Sequence, residues 1–313
     1  MLENELLASL RPLFNRNDPS VLTGSGPDDC AHLRADGRNL AVSVDAFAEG
    51  SHFTEHDAPE DIARKCMGAS LSDLAASGCR ARWVAVSLSL RPGLPENWSG
   101  RFARALAAAA DSHDATIVGG DTIASKNGIA ISVTVIGEPL PGGPLLRSGA
   151  RPGDILAVTG TLGGSILGKH LRPEPRLREI AFLMDACRRN GTAVSAAMDI
   201  SDGLALDSTR LCKESGVGAV IEAALVPLSP DALALAREDG RSGLDHALSD
   251  GEDFELLVAL PPPAWKALSR SAYPAQLAPF VRIGMIQAGG EIVVNTENGG
   301  AVPLRPQGYQ HQW

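Results

Sequence analysis

The chain has 313 residues, of which 44% are hydrophobic and 21% charged, enough for one large or two ordinary packed domains and against global disorder. Its 28 Lys and Arg against 37 Asp and Glu leave a formal charge of −9, which argues against a basic face for nucleic acid or an anionic membrane. Such a chain repels a phosphate-bearing substrate unless metal ions invert the sign of the site.

From the start, Met1 to Glu5 carry acids where a secretory leader carries bases, and no run approaches the ~20 apolar residues of a membrane span. A cytoplasmic protein is expected. Five cysteines (Cys30, Cys66, Cys79, Cys187, Cys212) are odd in number, far apart and outside any zinc spacing, so they read as reduced core residues. Apolar runs of strand length bounded by turn residues predict strands over 40–44, 83–90, 116–118, 129–136 and 154–158. A helix over 61–77 follows Pro59-Glu60 and stops at Gly78, and an Ala-rich one is predicted over 98–110. The Pro- and Gly-dense stretch from Gly137 to Gly153 excludes a regular helix or a central strand and marks a boundary between domains at 1–140 and 147–313. Beyond it come another strand, a helix over 205–215 ended by Gly216, a strand over 254–260 and a break at Pro261-Pro262-Pro263. The mixture is α/β (α+β).

The acids are unevenly placed. Asp28-Asp29 lie in a Gly-Pro turn, Asp45 follows an apolar run and Asp121 follows Gly119-Gly120. Asp199 and Asp202 flank Ile-Ser, Glu252-Asp253 follow Gly251, and Asp73 sits in a helix of small residues. Each alone is an ordinary turn or cap residue. Brought together they would repel, and hard cations with oxygen ligands, Mg²⁺ or Mn²⁺, are the economical way to hold them. Glycines beside acids also suit phosphate, which points toward nucleotide phosphoryl transfer. A competing motif, Gly163 to His170, follows a strand and nearly matches the P-loop. His170 replaces its metal-binding hydroxyl, and Pro173 and Pro175 cut short the helix it needs, so it reads as a chance match.

Taken in order, several segments carry a resemblance: Asp28-Asp-Cys-Ala31, Ser43-Val-Asp45, Glu49-Gly-Ser-His-Phe53, Leu71 to Gly78 (LSDLAASG), Gly119-Gly-Asp-Thr122, Arg147-Ser-Gly-Ala150, Pro152-Gly-Asp154, Val158-Thr-Gly160, Asp199 to Leu204 (DISDGL), Gly251 to Leu256 (GEDFEL) and Gly308-Tyr309. Over nearly the whole chain the sequence resembles the thiamine-monophosphate kinase family, within the superfamily of aminoimidazole ribonucleotide synthetase and selenophosphate synthetase. The resemblance implies two domains: an N-terminal mixed sheet with helices that binds metal and ATP and dimerises, and a C-terminal α/β domain completing the cleft. It implies ATP-dependent phosphorylation of thiamine monophosphate to the diphosphate by a homodimer, with several Mg²⁺ ions. Carried over by position, Asp28, Ser43, Asp45, Asp73, Asp121, Asp199 and Asp202 would meet metal, Asp45 and Asp121 being the catalytic pair. Gly120, Arg147 and Ser201 would meet ATP, and His52, Glu252 and Tyr309 thiamine monophosphate. Glu252 would complement the cationic thiazolium and Tyr309 would stack on a heteroaromatic ring.

The sequence departs from the family at Pro27, a Gly elsewhere, at Val44, a Thr elsewhere, and at Ile123 and Ala124, where a hydroxyl and a cation are lost. His113 stands where a tyrosine near the nucleotide is common. These changes spare every acid assigned to metal. They keep open two alternatives: a superfamily enzyme with another acceptor, or a non-catalytic nucleotide-binding paralogue. The selenophosphate branch is disfavoured, since Cys30 sits beside carboxylates that oppose a thiolate.

Overall fold

Apolar alternation and crossover helices build two mixed sheets in the computed structural model, which describes residues 6, 9–10, 18–24, 28–296 and 298–309. Pro27 lies outside the described residues. The first sheet holds β1 (Val21–Thr23), β2 (Ala31–Ala35), β3 (Arg38–Ala48), β4 (Cys79–Leu90), β5 (Thr116–Ala124) and β6 (Ala130–Pro139), in the order β1-β2-β3-β6-β4-β5. Helix α1 (Pro59–Ala76) joins β3 to β4, and α2 (Trp98–Asp111) joins β4 to β5. That second crossover makes β4–β5 the one parallel pair among the described residues of this sheet.

The second sheet holds β7 (Ile155–Thr159), β8 (Ala196–Ile200), β9 (Gly218–Glu222), β10 (Glu255–Leu260), β11 (Phe280–Gln287), β12 (Ile292–Asn295) and β13 (Ala301–Pro303). Its order is β13-β12-β9-β11-β7-β10-β8, with β9 and β12 parallel. Five helices accompany it: α3 (Leu177–Arg189), α4 (Leu204–Ser215), α5 (Pro230–Asp239), α6 (Gly243–Ser249) and α7 (Pro262–Arg270). Strands β7, β8 and β10 are buried along their whole length and form the centre of this half. No helix among the described residues is long and apolar enough to cross a membrane.

Three expectations are corrected. Asp45 and Asp121 do not follow their strands but sit inside them, Asp45 opposite Val133 and Asp121 opposite Ser87. Asp121 is exposed on the edge strand β5, whereas Asp45 lies on the same side of β3 as Ser43, facing α1, where burial raises its carboxyl; an acid kept there for the site interrupts the apolar run without ending the strand. Residues 137–139, assigned to a Pro/Gly stretch unable to join a central strand, are the end of β6, between β3 and β4. Gly137 is needed there because a Cβ would stand 2.8 Å from the carbonyl of Arg80, and Pro139 closes the pairing. The prolines after β10 act as a helix start, Pro262 being the first residue of α7.

Helix α1 is the spine of the molecule. Pro59 begins it, Glu60 and Asp61 favour its positive end, and left-handed Gly78 (φ 64°) follows its last turn. It packs on β3, β4 and β6 on one side and on β8, β10 and α3 on the other, so nearly all of it is buried. Its small residues permit this: a Cβ on Gly68 would stand 2.3 Å from the carbonyl oxygen of Pro173 in the second half. The five cysteines are free and buried.

Candidate active site

Where the two halves meet, three carboxylates from three elements converge. Asp29 comes from the bend before β2, Asp73 from the last turn of α1 and Asp199 from β8, with one oxygen of each within 4.8 Å of the others. At an effective dielectric near 20, unit charges at that spacing repel by about 3–4 kcal/mol per pair. Desolvation first, then Asp45, Asp199 and Asp29, hold the Asp73 carboxyl well above the usual carboxylate range. Asp199 is raised for the same reasons, burial first and then Asp29, and burial raises Asp45. Such a group is relieved either by protons or by a cation. Its donors are all hard oxygens, carboxylates joined by the Ser43 hydroxyl, which donates to Asp73 Oδ2. The Ser72 hydroxyl donates to Asp199 Oδ2 at 2.8 Å. This donor chemistry fits Mg²⁺.

Not every expected ligand stands in this group. Asp28 is turned away from it: its Oδ1 accepts the Arg147 N–H at 2.7 Å, and the neighbouring Asp29 joins the cluster instead. Asp45 lies on β3, close enough for its charge to raise Asp73. Asp121 is exposed on β5 outside the three-carboxylate group, with Oδ1 accepting the Thr122 N–H at 2.8 Å. Asp202 pairs with Arg210, and its N–H donates to the buried Asp207 at 2.9 Å.

The residues assigned to ATP have other constraints as well. The Arg147 guanidinium grips Asp29, with Nε 3.2 Å from Oδ1, and so bridges the inter-sheet segment to the cluster. Gly120 is glycine for packing, since a Cβ would stand 1.8 Å from the Val86 carbonyl, whereas a Cβ on Gly119 would meet open space. The Ser201 carbonyl accepts the Glu252 N–H at 2.6 Å. His113 ends up 3.9 Å from Glu174, in a cavity of about 250 Å³ that Arg64, Gly68 and Pro173 also line, away from the cluster residues.

Among the residues assigned to substrate, His52 Nδ1 accepts the Ala48 N–H at 3.1 Å, so the neutral ring carries its proton on Nε2. Phe47 meets that ring edge-on at 5.7 Å. Tyr309, a residue 47% exposed, donates its N–H to the Asp202 carbonyl at 3.1 Å. Glu252 sits in a loop whose backbone is left-handed at Gly251 (φ 75°), Glu252 (φ 53°) and Phe254 (φ 50°). Its Oε1 meets the ammonium of Lys65, a fully buried residue of α1, at 2.5 Å. Lys65 carries no sequence signal beyond a helix position, because its burial comes from the second half packing over α1. Asp29 was visible as one of a pair, but only the bend geometry says which of the two faces inward.

The P-loop-like segment holds the protein's own carboxylates. The Gly163 N–H donates to both oxygens of buried Asp253 at 3.0 Å and the Gly164 N–H to Asp250 at 2.9 Å. Lys169 lies 2.9 Å from Glu255 and 3.5 Å from Asp253, and only short 3₁₀ turns follow the loop. Burial pushes the Asp253 carboxyl up to about 7 despite these partners. Lys169→Ala is therefore expected to leave ATP affinity unchanged while lowering stability by about 1–3 kcal/mol, the cost of stripping a charged partner from buried carboxylates. Calorimetric titration with ATP and denaturant unfolding check both halves; loss of ATP binding in a folded variant would restore the P-loop reading.

The family described as AIR synthase related protein, N-terminal domain, matches residues 27–138, and its C-terminal domain matches residues 151–297. The thiamine-monophosphate kinase of Rhodopirellula baltica is 34% identical, covering 99% of this chain and 97% of its own. That of Salmonella typhimurium is 35% identical over 93% of this chain and 92% of its own. Among solved structures, AaThiL complexed with AMPPCP and TMP superposes with a TM-score of 0.82 at 27% identity, covering 99% and 97% of the two chains. The crystal structure of a HypE–HypF complex, 20% identical with a TM-score of 0.76 over 96% and 98%, shares the fold. Two AIR synthase related domains in order, and relatives above 30% identity along almost the whole length, make the chain a member of the thiamine-monophosphate kinase family.

Proposed function

We propose that the protein phosphorylates thiamine monophosphate with ATP, giving thiamine diphosphate and ADP, by direct magnesium-assisted in-line transfer. Family membership supports a kinase, and the solved AaThiL complex holds AMPPCP and TMP together. The observation that carries the mechanism is the convergence of Asp29, Asp73 and Asp199 between the two halves. With Ser43 and Asp45 beside them, these residues would hold Mg²⁺, and Asp121 and Asp202 would meet further ions. Bound there, Mg²⁺ supplies charge neutralisation for the phosphates and a template for their alignment.

The acceptor oxygen belongs to a phosphate already anionic near neutral pH, so no strong general base is required. A bond forms from that oxygen to the γ-phosphorus as the bond to the bridging oxygen of ADP breaks. No covalent phosphoenzyme is involved. Arg147 would meet the ATP phosphates from its position against Asp29, with Gly120 and Ser201 near the nucleotide. His52, Glu252 and Tyr309 would receive the thiamine portion.

A homodimer through the first sheet belongs to the same reading. Val44 on the interior strand β3 and Val118 and Ile123 on the edge strand β5 are 56–63% exposed, apolar positions of the first sheet that a second copy would cover. Two of these, Val44 and Ile123, are the departures noted above, so the lost polarity lies on this exposed surface. Light scattering is expected to give twice the chain mass, and a monomer at micromolar concentration would remove the dimer.

A coupled assay of ADP release is the direct test of activity. Thiamine monophosphate is expected to stimulate release over ATP alone, and Asp45→Asn or Asp121→Asn to lower turnover by about 10³-fold or more with the fold intact. Tight Mg-ATP binding without stimulation would instead mark a non-catalytic paralogue or another acceptor. Wild-type rates in either variant would remove the metal assignment.

A further inference from the structure

The Glu252 loop holds a constraint that phosphoryl transfer alone does not require. Non-glycine residues in the left-handed region cost on the order of 1–3 kcal/mol each and persist only where their surroundings hold them. Two such residues, Glu252 and Phe254, occur here within three positions. The loop is pinned from below by the Glu252 N–H to the Ser201 carbonyl at 2.6 Å and the Phe254 N–H to the Ile200 carbonyl at 2.8 Å. Asp253, between them, is fastened to the Gly163 N–H. Backbone contacts thus place the loop beside the Asp199–Asp202 segment, yet they leave the Glu252 side chain free to rotate.

Lys65 removes that freedom. It projects from the middle of α1, is 0% exposed, and places Nζ on Glu252 Oε1 across the junction of the two halves. The carboxylate itself remains about one-third exposed. A buried lysine carries a desolvation cost that a surface ion pair does not, and a buried ion pair replaced whole by apolar residues is often no less stable. Stability alone is therefore a weak reason for its presence.

We propose that Lys65 is a positioning residue for substrate: it anchors Glu252 through Oε1 so that Oε2 is presented to the organic portion of the acceptor. This rests on Glu252 being a substrate contact. The pair is close to neutral overall, so Glu252 recognises its ligand by a directed oxygen rather than as a loose anion that attracts any cation. Because Lys65 and Asp73 lie on the same helix, α1 also sets the distance between the acceptor's organic portion and the carboxylate cluster.

The test compares steady-state constants for wild type, Lys65→Met, Glu252→Gln and the double variant, with ATP and thiamine monophosphate varied separately. Lys65→Met is expected to raise KM for thiamine monophosphate about tenfold or more, as loss of a charged hydrogen bond does, with KM for ATP within about twofold. The double variant is expected to be no worse than Glu252→Gln, since the lysine acts only through the glutamate. Lys65→Met takes one partner from the pair and is expected to lower stability, but Met keeps the length of Lys and the Glu252 carboxylate is about one-third exposed to water, so folding is expected to survive; Lys65→Gln, with the same expected direction, is the second probe. An unchanged KM in Lys65→Met beside a raised one in Glu252→Gln would overturn the role of Lys65 alone. An unchanged KM in Glu252→Gln would instead overturn Glu252 as a substrate contact. Parallel rises in both KM values with a lowered Tm would mark the pair as purely structural.

Discussion

Mutual repulsion among carboxylates drawn from separate elements is the constraint on which this structure turns. Asp29, Asp73 and Asp199 belong to the first sheet's entry bend, to α1 and to the second sheet, so they meet only when both halves are assembled on that helix. Ionised together, three carboxylates within 4.8 Å would oppose assembly, and this proximity with burial holds Asp73 and Asp199 above the usual carboxylate range. The fold overcomes this by burying α1 between the sheets, with Gly68 packed against Pro173 and Ser43 and Ser72 donating to the acids. The acids stay partly unsatisfied, which prepares a site for hard cations.

The excess of acid over base now has a physical meaning. A chain of formal charge −9 is a poor host for phosphates unless the sign of its cleft is reversed locally. The carboxylates at the junction supply the means, and Arg147, held on Asp29, adds a fixed positive group to the same rim. The second half has its own internal neutralisation. Glu255 is gripped by Arg176 and Lys169, and Asp253 by the Gly163 turn, so a motif shaped for an external anion is filled by the protein's own carboxylate.

Much of the fold was legible from the residues, because turn chemistry and apolar runs are local. The start of α1 at Pro59, its end near Gly78 and the stop of α4 at Gly216 follow from cap preferences. Strand ends were less legible: reading a strand as an unbroken apolar run stops at Asp45 or Asp121, although β3 and β5 continue through them. At the site, the clustering of acids was readable as a set, while the choice between Asp28 and Asp29 depends on one bend. Lys65 was invisible because a lysine in a helix is ordinarily solvated, and only contact between the two halves buries it.

Cation binding at the junction is tested most directly by thermal unfolding of wild type and Asp73→Asn with and without Mg²⁺. Removing one negative charge from an empty cluster relieves repulsion, so Asp73→Asn is expected to be the more stable protein in EDTA. Saturating Mg²⁺ is expected to reverse that order, stabilising wild type by about 2–4 kcal/mol and the variant by much less. Equal stabilisation of the two proteins, or none of wild type, would contradict a cation site built from Asp29, Asp73 and Asp199.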